Sequence, residues 1–226
     1  MLAALATVSS QFSARAADMG VPVQPAPSTY IPAIFSWTGY YFGVEAGGGF
    51  GQANWTDPLH PPVTATVDPS GFVLGAYTGV NYQIGSFVIG GDVEFDGTWV
   101  DGSTTDAVSD ALQTKVFWTS TASGRFGVAF DRLLLYFKAG GAFAYDRAFV
   151  TASNGVSQSI GSTYRIGWNA GGGLDYAFTD HWTVRLEYDY LSLSNEGVPL
   201  TGKGANGTAI IGLNLSEAKA GLAYKF

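Results

Sequence analysis

The stretch Gly167–Leu191 reads GWNAGGGLDYAFTDHWTVRLEYDYL, and its apolar side chains recur at every second position. In its second half, after Thr179-Asp180-His181, the apolar and aromatic residues share one parity. Arg185, Glu187 and Asp189 share the other. Period-two alternation predicts two strands joined by a turn, each strand having one apolar and one polar face.

The first half of this stretch repeats the separation of charge from apolar side chains. Trp168 and Tyr176 lie on one parity, whereas Arg165, Asn169 and Asp175 lie on the other. A strand that faces lipid requires this separation because an unpaired charge in hydrocarbon is expensive.

Composition limits the classes of protein to which the chain can belong. Only 13% of its 226 residues are charged, 15% are aromatic, 31 are Gly and none is Cys, which excludes disulfides and thiolate metal sites. The net charge of −7 argues against a nucleic-acid partner, which would require a basic face. No apolar run reaches the ~18 residues of a transmembrane helix, so a membrane-spanning form would have to be a closed barrel.

The N-terminal residues predict export. Leu2–Val8 is a short apolar segment, and Ala14-Arg15-Ala16 fits a small-x-small cleavage site, although a positive leading segment is missing. We therefore expect a signal peptide, either complete or truncated, over 1–16, with cleavage between Ala16 and Ala17. Residues 17–36 contain four prolines and predict an extended periplasmic linker, which leaves 37–226 as the barrel.

Eight strand-like segments follow the linker. They are Tyr40–Gly51, Phe72–Gln83, Phe87–Trp99, Val116–Phe130, Leu133–Tyr145, Tyr164–Phe178, Trp182–Leu191 and Glu217–Phe226. Their connections alternate between turns of two or three residues and long loops over about 52–71, 100–115, 146–163 and 192–216. This pattern predicts an all-β fold, an eight-stranded antiparallel up-and-down transmembrane barrel.

A census of charges predicts the lumen of this barrel. The non-aromatic parity carries Glu45, Asp92, Glu94, Asp96, Lys115, Arg125, Lys138, Asp146, Arg165, Asp175, Arg185, Glu187, Asp189, Glu217, Lys219 and Lys225. Alternation alone also fits a lipocalin, in which the apolar face points inward and the polar face points to solvent. The unequal loop lengths, the aromatics at both strand ends and the export signal instead favour an apolar face that points outward to lipid. Near-balance of the two signs predicts mutual ion pairing and a plugged barrel.

Three motifs resemble a known family. Trp37-Thr38-Gly39-Tyr40-Tyr41 followed by Gly47–Gly49 looks like the first strand of the small OmpA-like, porin-family outer-membrane proteins of alphaproteobacteria, often called outer-membrane immunogenic proteins. Gly167–Leu191 resembles their sixth and seventh strands, and Ala220–Phe226 resembles their last. The resemblance implies that Phe226 is a C-terminal assembly signal read by the barrel assembly machinery. It also implies that Ala17 can be linked covalently to peptidoglycan.

Several motifs suggest sites without completing them. Asp92-x-Glu94-x-Asp96-Gly97 resembles a calcium loop, but Ser103 stands where a bidentate Glu is needed. Neither Gly47–Gly49 nor Gly171–Gly173 completes a phosphate-binding motif. The only histidines are His60 and His181, at opposite barrel ends, so we expect no catalytic, metal or cofactor site. Asp101, Asp106 and Asp110 fit solvated loop charge better than a cation site near lipopolysaccharide.

Three functions remain open from the sequence. The leading one is a non-catalytic outer-membrane barrel that supports envelope integrity, with outer-membrane lipid and lipopolysaccharide as its surroundings. The second is a small diffusion porin, and the third is a soluble lipocalin-like ligand-binding barrel. Conductance distinguishes the first two, and membrane fractionation distinguishes the third.

Overall fold

The computed structural model describes residues 35–57, 63–105, 111–151, 157–200 and 207–226. These residues form nine β-strands: β1 (Gly39–Asp57), β2 (Val63–Val67), β3 (Ser70–Ile84), β4 (Phe87–Thr105), β5 (Ala111–Phe130), β6 (Leu133–Thr151), β7 (Ser157–Ala177), β8 (Trp182–Leu200) and β9 (Gly207–Lys225). No helix in these ranges has the length and hydropathy needed to cross a membrane.

The strands form one antiparallel sheet that closes on itself. Neighbours in the chain pair in order from β3 to β9, and β1 pairs with both β3 and β9. The prediction of an eight-stranded up-and-down barrel is therefore confirmed, with β2 as an additional short strand. Closure leaves these eight strands without a free edge for most of their length.

The additional strand extends β3 along the same edge of β1. Ser70 pairs with Phe50 at one end of β3, and β2 continues the pairing from Ala53 to Asp57. Between them Gly51 donates its backbone N–H to the carbonyl of Pro69 at 2.8 Å. Proline has no N–H to donate, so Pro69 interrupts the ladder and divides what would otherwise be one strand.

The strands extend well beyond the predicted segments at the end opposite the short turns. The prediction of long loops over 52–71, 100–115, 146–163 and 192–216 is wrong for most of these residues, and the last strand begins at Gly207 instead of Glu217. Many outward positions in these stretches are Gly, Ser, Thr or Asn, while apolar residues such as Leu193 and Leu213 point inward. The outward positions therefore lack the apolar and aromatic residues by which the other strand segments were recognised.

The outer surface of the barrel is apolar. Leu186, Ile89 and Phe95 are more than half exposed on strands whose opposite parity is buried. Exposed aromatic side chains gather towards both ends, with Tyr82 near the short turns and Trp99 near the other end. Two aromatic zones around an apolar band are typical of a transmembrane barrel.

The interior is filled by three layers of side chains. An apolar layer, which we call the far-end layer, lies on the side away from the short turns. It contains Ala53, Val67, Val73, Val100, Val116, Ala142, Ala144, Leu191, Leu193, Ile211, Leu213 and Leu215. A second apolar cluster, the short-turn layer, contains Phe35, Trp37, Val88, Ala129, Leu134, Tyr136 and Ala177. Charged side chains occupy the space between the two layers.

The short-turn layer includes residues from before the first strand. Trp37 is only 2% exposed, and its ring packs edge-on against that of Phe35 with the ring centroids 4.9 Å apart. The backbone N–H of Phe35 donates to Asp131 Oδ1 at 3.2 Å, and that of Trp37 donates to Gln83 Oε1 at 2.7 Å. Phe35, which the sequence assigned to the linker, is thus part of the barrel mouth. The signal segment 1–16 and residues 17–34 lie outside the described residues.

Candidate functional site: the charge belt of the lumen

Alternation along each strand places the charged parity inside the barrel. Between the two apolar layers lies a group of buried ionisable side chains that we call the charge belt. Its carboxylates are Glu45, Asp92, Glu94, Asp96, Asp175, Glu187, Asp189 and Glu217, and its cations are Arg125, Lys138, Arg185 and Lys219. Each is at most 5% exposed, and they come from seven of the eight barrel strands.

Two lysines bridge carboxylates from different strands in the middle of the belt. Lys138 Nζ lies 2.6 Å from Glu94, 2.7 Å from Glu187 and 3.0 Å from Asp189. Lys219 Nζ lies 2.9 Å from Glu94 and 3.0 Å from Glu45. Because each ammonium group has three donors, one lysine can join strands that are distant in the sequence.

Two arginines and their aromatic neighbours form the part of the belt nearest the short turns. Asp175 accepts from Arg125 at 2.7 Å and from Arg185 at 3.1 Å. The Arg125 guanidinium carbon lies 3.7 Å from the ring centroid of Tyr136, and that of Arg185 lies 3.9 Å from the centroid of Tyr77. Stacking on aromatic faces and planar pairing with carboxylates are both characteristic of guanidinium groups.

The buried tyrosines of this region were not predicted as functional residues. Tyr41 accepts a hydrogen bond from Arg125 at 2.9 Å, and Tyr136 donates one to Glu187. For two of them the available signal was parity, since Tyr41 and Tyr136 share the parity of charged residues on their own strands. Tyr77 had no such signal, because β3 carries no charged residue. Aromatic residues were expected on the lipid face, so all three were missed.

Arg165 forms a separate site within the far-end layer. It binds Asp146 through Nε at 2.7 Å and Nη2 at 3.2 Å. Its Nη1 donates to the backbone carbonyls of Ser194 and Ile211, at 2.9 and 2.7 Å. The pairing of β8 and β9 shifts register between Leu193 and Glu196, so Arg165 binds backbone acceptors at a break in the ladder. Satisfying such carbonyls avoids the penalty of leaving buried polar groups unpaired.

Glycines in the wall provide space for these bulky lumen side chains. A Cβ on Gly43 would lie 2.5 Å from Tyr77 Cζ, and one on Gly173 would lie 2.7 Å from the Tyr136 hydroxyl. Gly75 and Gly171 face the carboxylates of Asp96 and Asp189 in the same way. The glycine-rich segments thus admit large side chains from neighbouring and opposite strands.

The lumen prediction for Lys115 is wrong. Phe117 is a bulged residue, because Val116 pairs with Asp146 whereas Trp118 pairs with Tyr145. An extra residue reverses the parity of the strand beyond it. Thr114 and Val116 therefore point inward, and Lys115 points outward and is half-buried. Lys225, also predicted in the lumen, is half-buried at the short-turn mouth with Nζ 5.2 Å from the Phe35 ring.

Carboxylates outnumber cations in the belt, and some carboxylate oxygens therefore lack a hydrogen-bond partner among the described residues. Asp92 approaches Arg185 and Arg125 only at 3.7 and 3.9 Å, and neither of its oxygens has a hydrogen-bond partner among the described residues. Neither oxygen of Asp189 has a hydrogen-bond partner among the described residues, although Oδ2 lies 3.0 Å from Lys138 Nζ. Water molecules or small cations are the groups that could satisfy such oxygens.

One carboxylate cluster has the geometry of a metal site. Oxygens of Glu45, Glu94 and Glu187 lie within 4.8 Å of one another. All three are already in ion pairs, with Lys219 bound to the first two and Lys138 bound to the last two. The ammonium groups supply the positive charge that a metal would bring, so the cluster is better described as part of an ion-pair network.

The remaining predicted sites lie apart from the belt. Asp92, Glu94 and Asp96 of the calcium-like motif all point into the lumen from β4, which has no loop there. His181 is exposed at a turn, where Nδ1 contacts the carbonyl of Lys225 at 3.0 Å. Phe226 is exposed, and its N–H donates to Tyr40 at 2.9 Å, next to the closure of the barrel. Ala16, Ala17, His60, Asp106 and Asp110 lie outside the described residues.

Comparison with known proteins places this architecture in context. Residues 2–226 match a family model described as an outer membrane protein beta-barrel domain. The chain is 32% identical to the 31 kDa outer-membrane immunogenic protein of Brucella melitensis over 98% of each chain. It is 29% identical to the 25 kDa outer-membrane immunogenic protein of Brucella canis, over 99% of this chain and 95% of the relative.

A solved structure shares the fold. The outer membrane protein OprG of Pseudomonas aeruginosa aligns with a TM-score of 0.60 and 14% identity, over 86% of this chain and 99% of that one. Both the named relatives and the apolar outer surface contradict the soluble lipocalin-like alternative.

Proposed function

The chain belongs to the outer-membrane β-barrel family, and we propose that within the outer membrane it is a non-catalytic structural barrel with a closed lumen that supports envelope integrity. The observation that carries this proposal is the layered interior. The charge belt lies between two apolar layers, and its ion pairs join strands across the lumen. Eight strands enclose a space just wide enough for side chains to fill.

The absence of a catalytic role is part of the proposal. A hydrolytic site needs a nucleophile or an activated water beside a general base. The described histidine, His181, contacts a backbone carbonyl at the short-turn end, and the belt carboxylates face cations. A network of this kind fits structural cross-linking of the barrel wall better than chemistry on a substrate.

Conductance of the purified monomer in planar bilayers tests the closed lumen. We expect at most small and rare current steps from the native chain. The triple variant Trp37→Ala, Leu191→Ala and Leu213→Ala removes large side chains from both apolar layers, and it should show current steps more often. Steady, large ohmic channels from the native monomer would overturn the proposal and establish the porin alternative.

The carboxylate surplus gives the porin alternative a specific form. A lumen whose charge belt has eight carboxylates and four cations among the described residues would favour cations over anions if it conducted. The reversal potential in a salt gradient distinguishes the two functions, because a closed barrel gives no stable potential and an open one should be cation-selective.

A covalent tether to peptidoglycan is a separate proposal for the N-terminus. We infer cleavage after Ala16 and a link through the Ala17 amine, as the resemblance to this family implies. Phe35 and Trp37 support the placement because they fix the start of the barrel at the short-turn end, the periplasmic side in this family. Muropeptide analysis after lysozyme digestion should reveal the Ala17 adduct, whereas a free N-terminus throughout would refute the tether. A retained Met1 on the envelope form would refute cleavage.

A further inference from the structure

A recess in the barrel wall lies beside the bulge at Phe117. It lies between β4 and β5 on the far-end side, with a volume of about 430 Å³. Its outward-pointing lining residues are Trp99, Asp101, Lys115 and Phe117, and buried residues such as Val100 and Val116 line its inner side. Trp99 is 61% exposed and Phe117 is 41% exposed, so the walls of the recess present aromatic surface to the surrounding membrane.

One lining residue, Lys115, has a second cation beside it on the next strand. Lys115 and Arg147 are cross-strand partners on β5 and β6, and both point outward. Residues directly opposite each other on one face of an antiparallel pair have Cβ atoms about 5 Å apart, and like charges in this position destabilise the pair. An anion bound between them would remove this repulsion.

The aromatic zone orients one of these cations. The Arg147 guanidinium carbon lies 5.2 Å from the Phe117 ring centroid, and Nε donates to the Tyr145 hydroxyl at 3.0 Å. Among the described residues, neither Arg147 nor Lys115 has a carboxylate within ion-pair distance. The nearest candidate by register is Asp101, the cross-strand neighbour of Lys115 on β4, and no ion pair joins them.

We propose that this recess binds the phosphorylated headgroup of an acylated glycolipid in the outer leaflet. Lys115 and Arg147 hold a phosphate at the level of the headgroups, and Trp99 and Phe117 contact the sugar and the acyl chain below it. The position fits this ligand because cations directly above an aromatic zone lie at the boundary between hydrocarbon and headgroups. The site is on the outer wall, so it does not depend on whether the lumen conducts.

Native mass spectrometry of the full-length protein in detergent tests this site with bisphosphorylated lipid A as the probe. We expect the double variant Lys115→Gln with Arg147→Gln to bind at least tenfold more weakly than the native chain. Arg132→Gln, which removes an exposed cation at the opposite end, should bind like the native chain. The charge-preserving exchange Lys115→Arg with Arg147→Lys should retain most of the affinity.

Two further probes identify the source of the phosphate. Dephosphorylated lipid A should bind the native chain and the double variant equally weakly, and phosphatidylglycerol should bind the native chain much more weakly than lipid A. Unchanged lipid A binding in the double variant would overturn the site. Binding of dephosphorylated lipid A to the native chain as tight as that of lipid A would overturn the role of the cations. Phosphatidylglycerol binding as tight as that of lipid A would overturn the glycolipid assignment. Heat-dependent gel mobility establishes that each variant is folded, and the single variants replace the double one if it is not.

Discussion

Trp37 donates its indole N–H to the backbone carbonyl of Asp131 across 3.0 Å, although 94 residues separate the two in the chain. Asp131 has a positive φ of 52° in the turn between β5 and β6, and its carboxylate also accepts from Phe35. The segment before the first strand is therefore fastened to a turn on the far side of the barrel, and it fills the mouth that the turn borders.

Removing the Trp37 ring should destabilise the barrel. Trp37→Ala leaves a void in the short-turn layer and is expected to lower the free energy of unfolding by about 3–5 kcal/mol. Urea-dependent refolding in lipid vesicles measures the change. Ser36→Ala, at the exposed neighbouring position, should stay within about 0.5 kcal/mol of the native chain. Similar values for the two variants would contradict a packed mouth.

Lys138 should be among the least replaceable side chains in the lumen. Lys138→Met keeps the length of the stem but leaves Glu94, Glu187 and Asp189 without their shared cation. Breaking a buried ion pair in this way costs about 3–5 kcal/mol. The matched control is Arg132→Met, because Arg132 forms an exposed pair with Asp180 at 2.7 Å that contributes about 0–1 kcal/mol. A loss of stability for Lys138→Met no larger than that for Arg132→Met would mean that water already screens the belt.

Leu186 tests the lipid-facing surface. It lies on β8 midway between the outward rings of Trp182 and Tyr190, and its side chain is 55% exposed. Leu186→Arg should destabilise by about 2–4 kcal/mol, the effect of a cation near the bilayer midplane. Tyr176→Arg, near the short-turn end of β7, should cost about 0–1 kcal/mol. Equal penalties in vesicle refolding would contradict the depth assigned to these positions.

Gly43 and Gly124 should respond oppositely to alanine. A Cβ at Gly43 would meet Tyr77 at 2.5 Å and the Leu222 carbonyl oxygen at 2.7 Å, and overpacking of this kind costs about 1–3 kcal/mol. Nothing lies within 4 Å of the Cβ position at Gly124, on the outer face. Gly124→Ala is therefore expected to be neutral or slightly stabilising. The same loss at both positions would indicate a general effect of glycine on the strand and not a need for space.

The fold could be predicted because the membrane imposes a strict rule on each strand. A charge on the lipid face is so unfavourable that the parity of Arg185, Glu187 and Asp189 identifies the inside of β8. The same rule places Glu45 on β1 and Lys138 on β6. It is a local rule, since each strand obeys it independently of its neighbours.

Features that depend on two strands together were not predictable from the sequence. The bulge at Phe117 is defined by unequal residue counts on β5 and β6, so Lys115 appeared to share the parity of the lumen. The partners of Lys138 depend on the stagger of the closed barrel, which brings Glu94 from β4 and Glu187 from β8 to one ammonium group. Beyond the aromatic zone on the far-end side, outward positions no longer face lipid and need not be apolar. The rule therefore gives no signal there, and the part of β9 before Glu217 was predicted as a loop.

The distribution of the belt over the strands bears on how the barrel closes. Lys219 lies on β9, the last strand, and its ammonium group contacts Glu45 on β1 and Glu94 on β4. Glu217 lies on the same strand, so the arrival of β9 leaves the net charge of the belt unchanged and instead completes the ion pairs of Glu45 and Glu94. Because a register slip of one residue would turn Lys219 to the outer face, these pairs form only when the last strand is in register. Lys219 therefore links the correct closure of the backbone ladder to the correct pairing of side chains across the lumen.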